Sequence, residues 1–257
     1  MDPVKRFSNR VEAYSKYRPG YPPAVIDFLT AQCGLSPDSI IADVGSGTGI
    51  LSELFLKNGN QVFGVEPNRE MREAGERILA DYSNFKSVEG SAESTSLPDK
   101  SVDFITAAQA FHWFDGERTR TEFARILKPD GWVSLLWNER RTDSTPFLRD
   151  YEELLLAYGT DYTEVRHENV YENITAFFAP QPFKVQTFEN KQVFDYEGLK
   201  GRLLSSSYVP AAGQPHFAEM LDALQILFEL HQDDGHVVVE YDTRIYYGRI
   251  GHDNATH

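Results

Sequence analysis

Apolar runs and stretches of helical periodicity alternate along the first part of the chain. The apolar runs are short and end in glycine, proline or polar residues, which is typical of buried strands. They lie at 39–45, 61–67, 85–93, 102–111 and 132–139. Between them, apolar residues recur at helical spacing at 22–33, 49–59, 68–82 and 116–127. Strands separated by helices in this way predict βαβ units and a parallel, doubly wound sheet.

The pattern becomes less regular after Arg141. Helical spacing recurs at 145–159, 196–207 and 215–232. Alternation of apolar and polar residues predicts two further strands, at 183–194 and 236–250, whereas 160–182 is irregular. We therefore predict a single α/β domain over residues 1–257, a doubly wound, mostly parallel sheet of seven strands with a helical cap.

This predicted domain has four parts along the chain. An N-terminal lid and the first helix occupy 1–35, the core 36–140, a cap insertion 141–182, and the strands and helices that complete the sheet 183–250.

The stretch "IIADVGSGTG" at 40–49 joins the first predicted strand to the next helix. Asp43 ends the strand, and Gly45, Gly47 and Gly49 follow at alternate positions. A glycine-rich loop lets a nucleotide-like cofactor approach the backbone, because a Cβ atom would block it. The dinucleotide fingerprint G-x-G-x-x-G would need its third glycine where this chain has Ile50, so the spacing disfavours a nicotinamide cofactor. A short acidic-x-G-x-G-x-G loop is instead the form that S-adenosylmethionine enzymes use.

Two acidic residues fit the same interpretation. Glu66 closes the second predicted strand, where a carboxylate can accept hydrogen bonds from both hydroxyls of a ribose. Asp43 is placed where the amino-acid part of a cofactor would lie, and its charge suits an ammonium group but not a pyrophosphate. The alternative is a tight turn between strand and helix that binds no ligand.

The net charge, the lengths of the apolar runs and the cysteine count exclude several kinds of binding partner. The chain has 257 residues, a formal net charge of −14 and one cysteine, Cys33. An acidic protein repels phosphate backbones, so we expect no nucleic-acid partner. We also expect a cytoplasmic protein without a membrane partner, because no apolar run could span a bilayer, no signal segment is visible, and a lone cysteine forms no internal disulfide. No cluster of histidines and cysteines has metal-ligand spacing, so no metal is expected.

Four segments together resemble the class I S-adenosylmethionine-dependent methyltransferases: "ADVGSGTG", "VFGVEPN", "EGSAESTSLPDKSVDFITAAQAFHWFD" and "ARILKPDGW". The resemblance is strong over about 35–140, and "YSKYRPGYP" and "QAFHWF" are similar to the small-molecule, trans-aconitate methyltransferase-like (type 11) group. It implies a Rossmann-like methyltransferase fold with 36–140 as the cofactor-binding core, S-adenosylmethionine as the cofactor, and a small-molecule acceptor.

The resemblance also assigns cofactor contacts residue by residue. The loop after the first strand would lie under the methionine part of the cofactor, Asp43 would hold its amino group, and Glu66 would bind the ribose. The family usually has an acidic residue after the third strand that reads adenine, but this chain has Ser91 there, so Glu93 is a second candidate for that role. The full predicted set is Asp43, Gly45, Ser46, Gly47, Gly49, Glu66, Pro67, Ser91, Ala92, Glu93, Gln109, Ala110 and Phe111.

The predicted acceptor site lies at the carboxyl ends of the fourth and fifth strands. His112 is a candidate general base for a hydroxyl acceptor, and the alternative is that it packs against Trp113. Arg140 and Arg141 directly follow the fifth strand, and alternation would turn only one of them inward, so a small organic acid is the expected acceptor. The residues assigned to acceptor binding are Tyr14, Tyr17, Arg18, Trp113, Asn138 and Arg141.

Two other functions remain open from the sequence. One is a non-catalytic protein that binds S-adenosylmethionine on the same fold, because methyl transfer requires no signature catalytic residue. The other is an NAD-dependent oxidoreductase, which the loop spacing disfavours. The sequence gives no prediction of oligomeric state.

Overall fold

The computed structural model describes residues 15–160, 162 and 170–251. Over this part of the chain, seven strands form one sheet in the order β3-β2-β1-β4-β5-β7-β6. The strands are β1 (Ile40–Val44), β2 (Gln61–Val65), β3 (Phe85–Val88), β4 (Val102–Ala108), β5 (Leu127–Arg140), β6 (Phe183–Phe194) and β7 (Val237–Gly248). The first five strands pair in parallel, whereas β7 runs antiparallel to both β5 and β6. The predicted doubly wound, mostly parallel sheet of seven strands is confirmed.

Helices connect the strands and cover the sheet. They are α1 (Ala24–Cys33), α2 (Ile50–Lys57), α3 (Arg69–Ile78), α4 (Gly116–Ile126), α5 (Pro146–Tyr158), α6 (Val170–Phe178), α7 (Tyr196–Leu204) and α8 (Phe217–His231). Side-chain caps fix where several of them begin: the Asn68 side chain accepts a hydrogen bond from the Met71 amide, and the Asp115 side chain accepts one from the Arg118 amide. No helix among the described residues is long and apolar enough to cross a membrane.

Two elements differ from the sequence prediction. Helix α6 lies in the stretch that was predicted to be irregular, and it buries Ile174, Phe177 and Phe178. Those three residues have the i, i+3, i+4 spacing of a helix face, so a local signal was present. Strand β5 begins at Leu127 instead of 132, because Leu127 already pairs with Val102 before the register shifts.

Three clusters of buried apolar side chains hold the layers together. One cluster packs α4 and α6 against one face of the sheet, through residues such as Phe123 and Phe177. A second packs α1 and α2 against the other face, through residues such as Leu29 and Phe55. The third cluster joins α5, α7 and α8 to the adjoining ends of β6 and β7, through Leu148, Leu155, Leu199, Leu203, Leu224, Val239 and Tyr241.

The third cluster lies beyond the carboxyl ends of the parallel strands. Because β7 is antiparallel to β5, the beginning of β7 lies beside the end of β5, where Arg140 pairs with Tyr241. Residues 141–182 therefore contribute to two layers, α5 to the third cluster and α6 to the sheet core.

Candidate active site

The order of the parallel strands reverses between β1 and β4, since the chain proceeds outwards to β2 on one side and to β5 on the other. Ligands of open α/β sheets bind beyond the carboxyl ends of the strands at such a point. A cavity of about 580 Å³ lies there. Its wall is formed by the N-terminal segment around Arg18, the loop after β1, the ends of β4 and β5, and parts of α7 and β7.

The loop after β1 has a backbone that only glycine adopts easily. Gly45, Gly47 and Gly49 have φ angles of 69°, 57° and 85°. A Cβ atom on Gly45 would also lie 2.7 Å from the Cβ atom of Ala110. The Thr48 hydroxyl is buried in this part of the cavity wall and has no hydrogen-bond partner among the described residues. The amides of Gly45, Ser46, Gly47 and Gly49 are already hydrogen-bonded within the protein, so the loop offers a ligand close approach to bare backbone and the hydroxyl of Thr48.

Asp43 is a buried carboxylate in the cavity wall at the end of β1. It accepts hydrogen bonds from the Ser52 hydroxyl at 2.6 Å and the Thr106 hydroxyl at 3.2 Å. Burial raises the pKa of Asp43 to about 6, the two hydroxyl hydrogen bonds oppose that increase, and the nearby charge of Glu66 adds to it. A cationic group in the cavity would find in Asp43 an otherwise uncompensated negative charge.

Glu66, one residue beyond β2, ties the glycine loop to the start of α3. Its carboxylate accepts hydrogen bonds from the Gly47 amide at 2.9 Å and the Asn68 amide at 2.8 Å. Burial raises the pKa of Glu66, and these two hydrogen bonds act in the opposite direction. In the structure, the carboxylate thus holds the loop through the Gly47 amide, and Glu66 is not among the residues that line the cavity.

The residues after β4 turn sharply into the cavity. Gln109 lines the cavity with a φ of 54°, an uncommon value for a residue other than glycine, and its side-chain amide donates to the Asn138 carbonyl at 3.0 Å. His112 and Trp113 also line the cavity, with ring centroids 4.7 Å apart. Phe111 instead packs into the sheet core against Phe177, with ring centroids 5.0 Å apart.

Side-chain amides hold the N-terminal segment against the cavity. Asn138 donates to the Gly20 carbonyl at 3.1 Å, and Asn190 donates to the same carbonyl at 2.8 Å. Gln192 donates to the Tyr17 carbonyl at 3.2 Å. The guanidinium of Arg18 donates to the Ser205 carbonyl at 3.0 Å, which links this segment to the end of α7.

The two adjacent arginines after β5 have different surroundings. Arg140 lines the cavity, and its guanidinium binds the Glu152 carboxylate and donates to the Tyr162 hydroxyl at 3.0 Å. Arg141 lies outside the cavity, where its guanidinium pairs with Asp242 at 2.7 Å. Alternation along the extended backbone turns the two side chains to opposite sides.

The cavity is richer in positive charge than the chain as a whole. Among the described residues, four arginines and two acidic residues line it: Arg18, Arg140, Arg202, Arg244, Asp43 and Glu139. This contrasts with the net charge of −14 over the whole sequence. An anionic ligand can therefore enter a locally positive site in an acidic protein. The described residues contain no group of three or more histidine, cysteine or acidic side chains that could hold a metal ion.

Comparisons with known proteins identify the family. Residues 42–135 match the family described as a methyltransferase domain. An uncharacterized methyltransferase of Mycobacterium bovis is 30% identical over 228 residues, which cover 88% of this chain and 86% of that protein. The chain belongs to the class I S-adenosylmethionine-dependent methyltransferases.

Two further comparisons agree with this membership. An uncharacterized methyltransferase-like protein of Schizosaccharomyces pombe is 32% identical over 159 residues, or 62% of this methyltransferase and 60% of that protein. The solved structure of a candidate type II methyltransferase from Anaeromyxobacter dehalogenans shares the fold, with a TM-score of 0.70 and 24% identity over 91% of this chain and 98% of that one. The similarity to the trans-aconitate methyltransferase-like group stays a prediction.

The methyltransferase fold places part of the predicted cofactor set in the cavity wall: Asp43, Gly45, Ser46, Gly47 and Gln109. The other members of the set do not line it: Gly49, Glu66, Pro67, Ser91, Ala92, Glu93, Ala110 and Phe111. Ala92 is buried in the sheet core, and Glu93 accepts a hydrogen bond from the Asp115 amide at 3.0 Å. Burial acts to raise the pKa of Glu93, but this bond and one from the Ser91 hydroxyl lower it below its usual value. The adenine and ribose assignments stay predictions.

Some of the residues predicted to bind the acceptor line the cavity, and others do not. Arg18, His112, Trp113 and Asn138 line the cavity. Tyr17 packs against the third cluster, and Tyr14 lies outside the described residues. Arg141, which was also assigned to acceptor binding, lies outside the cavity with its guanidinium paired to Asp242, and Arg140 takes the inward position.

Sequence reasoning missed cavity residues that come from α7, from the segment after it, and from β7: Arg202, Tyr208, Tyr241 and Arg244. No local motif marks them, because they reach the cavity only through the packing of the third cluster. Arg140 did have a signal. It is two residues from Asn138, so the assignment of Asn138 to the site implied that Arg140 shares its side of the strand.

Proposed function

We propose that this methyltransferase transfers a methyl group from S-adenosylmethionine to a small organic acid, on the acid's carboxylate. The observation that carries the proposal is the composition of the cavity wall. The glycine loop and Asp43 supply a site for a cationic amino acid-like group, and arginines from other elements supply sites for an anion. Both kinds of site open into the same 580 Å³ cavity.

The residues of the loop fit the cofactor that the family uses. The Asp43 carboxylate is suited to accept hydrogen bonds from the cofactor's ammonium group, and the Thr48 hydroxyl is a buried polar atom that a ligand would satisfy. Position 45 has no room for a side chain, because a Cβ atom there would lie 2.7 Å from the Cβ atom of Ala110, so the backbone of the loop stays bare at this point. S-adenosylmethionine supplies an electrophilic methyl group on a sulfonium. A phosphoethanolamine N-methyltransferase of Haemonchus contortus, solved with S-adenosylhomocysteine, has the same general fold at a TM-score of 0.55.

The protein's part in such a transfer is to align the acceptor and to exclude water. A carboxylate acceptor carries no proton at neutral pH, so the reaction needs no general base, and His112 then serves as part of the wall. Arginine binds a carboxylate through a planar pair of hydrogen bonds, which fixes the orientation of the acid. The methyl ester is uncharged, so the same arginines hold the product less tightly than the acid, which favours product release.

Methyl label distinguishes this reaction from its alternatives. The full chain is incubated with S-adenosylmethionine labelled in its methyl group and with a pool of small organic acids, and the products are treated with mild alkali. A carboxylate ester releases volatile labelled methanol, whereas methyl ethers, amines and carbon-linked methyl groups do not. Alkali-stable label on the preferred acceptor would contradict the carboxylate, and cofactor binding without transfer to any acceptor would indicate a binding protein.

A further inference from the structure

Arg202 is a buried arginine in the cavity wall without an acidic partner in the described part of the chain. It lies on α7 and is 7% exposed. Its Nε donates to the Tyr241 hydroxyl at 3.1 Å, and its Nη1 donates to the Ser206 hydroxyl at 3.0 Å. Both partners are neutral oxygens, and the Nη2 of Arg202 makes no hydrogen bond to the described residues. The guanidinium is therefore partly hydrogen-bonded, but no negative charge of the described residues neutralises it.

The other arginines that come from the strands around the cavity are paired. Arg140 binds Glu152, whose side chain is as buried as its own. Arg244 pairs with Glu139 at 3.3 Å. An isolated charge in a protein interior is strongly unfavourable unless a counter-charge or several hydrogen bonds compensate it. Arg202 is therefore the buried cation for which a bound anion would supply the counter-charge.

The pKa of a neighbouring tyrosine, Tyr208, reflects the positive charge around Arg202. Tyr208 lines the cavity close to the end of α7. Burial would raise the pKa of Tyr208, but the positive charges of Arg202 and Arg18, a hydrogen bond with the Ser206 hydroxyl and the charge of Arg140 together lower that pKa below its usual value. Because Arg18 also reaches the end of α7 through the Ser205 carbonyl, two guanidinium groups and a phenol converge on this part of the cavity.

We propose that Arg202, Arg18 and Tyr208 form the subsite that binds a carboxylate group of the acceptor, with Arg202 as its principal counter-charge. This deepens the proposed function and rests on it. The Arg202 guanidinium has donors left for the carboxylate, and the Tyr208 hydroxyl can donate a further hydrogen bond. Acid and amide forms of one small molecule are the same shape, so the subsite distinguishes them by charge.

Binding of succinate without S-adenosylmethionine tests the subsite separately from methyl transfer. Succinate and its uncharged analogue succinamide are titrated into the full chain at constant ionic strength, with the unfolding temperature and calorimetric heat as readouts. The wild type should bind succinate and not succinamide. Arg202→Met should weaken succinate binding by about ten- to a hundredfold, the effect of losing one charge-assisted interaction. Arg202→Lys should fall between them, because lysine keeps the charge but not the planar fork.

Arg141→Met is the matched control, because it removes the same charge from the pair with Asp242 outside the cavity. It should bind succinate like the wild type. Unchanged succinate affinity in folded Arg202→Met, or equal loss in Arg141→Met, would overturn the subsite. If Arg202→Met does not fold, Arg202→Lys is the deciding variant, and wild-type affinity in it would overturn the proposal that the guanidinium donors of Arg202 bind the carboxylate. Loss of succinate binding in Arg202→Met would support the subsite even if the alkali test contradicts ester formation.

Discussion

Replacing Asp43 by asparagine should make the fold more stable at neutral pH while it removes the charge that the cofactor site needs. The pKa of Asp43 rises from 3.8 to about 6 in the folded protein. Between these values the folded state holds a proton that the unfolded state has lost, so wild-type stability falls as pH rises. With about 1.4 kcal/mol for each pKa unit, ionisation of Asp43 lowers wild-type stability by about 3 kcal/mol above pH 6.

Asparagine cannot ionise and so avoids this decline. Like the protonated acid, it has one carbonyl oxygen that accepts a hydrogen bond from Ser52 or Thr106, and its NH2 group can donate where the acid's hydroxyl would. Asp43→Asn should therefore be about as stable as the wild type below pH 4 and about 3 kcal/mol more stable at pH 7.

Urea unfolding of both proteins without ligand, at several pH values between 4 and 7.5, measures this difference directly. Other groups titrate over the same range, but their effects cancel when the variant is subtracted from the wild type. A stability difference that is independent of pH would show that Asp43 does not have a raised pKa in the folded protein. A second readout is the proton released on cofactor binding. If the ammonium group faces Asp43, binding at pH 6 should release roughly half a proton, measured by calorimetry in buffers of different ionisation heat.

Three further substitutions test other parts of the site. Glu66→Ala should lower the urea midpoint at pH 7 as well as weaken cofactor binding, because two backbone amides lose an acceptor worth about 1.5–3 kcal/mol each; an unchanged midpoint would contradict the support role. Gly201→Ala would place a Cβ atom 2.3 Å from the Tyr17 ring. It should weaken ligand binding because Tyr17 belongs to the N-terminal segment that lies against the cavity. Gly116→Ala is the control and should not weaken binding, because an added Cβ atom would meet no neighbouring side chain of the described residues within 4 Å. Arg140→Met should destabilise the fold by about 3–5 kcal/mol because it removes a cation from the buried Glu152 carboxylate, to which the Tyr162 hydroxyl still donates at 2.7 Å, and adding Glu152→Gln should restore most of the loss.

The contrast between two arginines adds a control to the last substitution. Arg202 has no acidic partner among the described residues, so Arg202→Met should change stability far less than Arg140→Met. Equal destabilisation in urea would mean that the charge of Arg202 is compensated within the fold.

The elements around the glycine loop were predictable because their signals are local in sequence. A buried run ending at Asp43, followed by Gly45, Gly47 and Gly49, specifies strand, turn and helix within a few residues, and the structure has all three. The acidic residue after β2 was also found by position. The loop-supporting contacts of Glu66 were not, because they depend on how the loop folds back onto β2.

The arginines and tyrosines on the other side of the cavity were not predicted as a set, because they are distant from one another in sequence. Arg202 and Tyr208 belong to α7 and the segment that follows it, far from the strands that begin the cavity. Their approach to Arg18 and Arg140 depends on the packing of the third cluster and on the antiparallel register of β5 with β7. Sequence periodicity identifies those elements, but it does not specify which of their polar side chains face one another.

The most direct test of S-adenosylmethionine as the cofactor is its calorimetric titration into the wild-type chain, with NAD titrated under the same conditions. We expect one S-adenosylmethionine site for each chain, displacement by S-adenosylhomocysteine, clear weakening in Asp43→Ala, and no heat of binding with NAD. Binding of NAD in place of S-adenosylmethionine, or full affinity for S-adenosylmethionine in Asp43→Ala, would contradict the assignment of the glycine loop and Asp43 as the cofactor site.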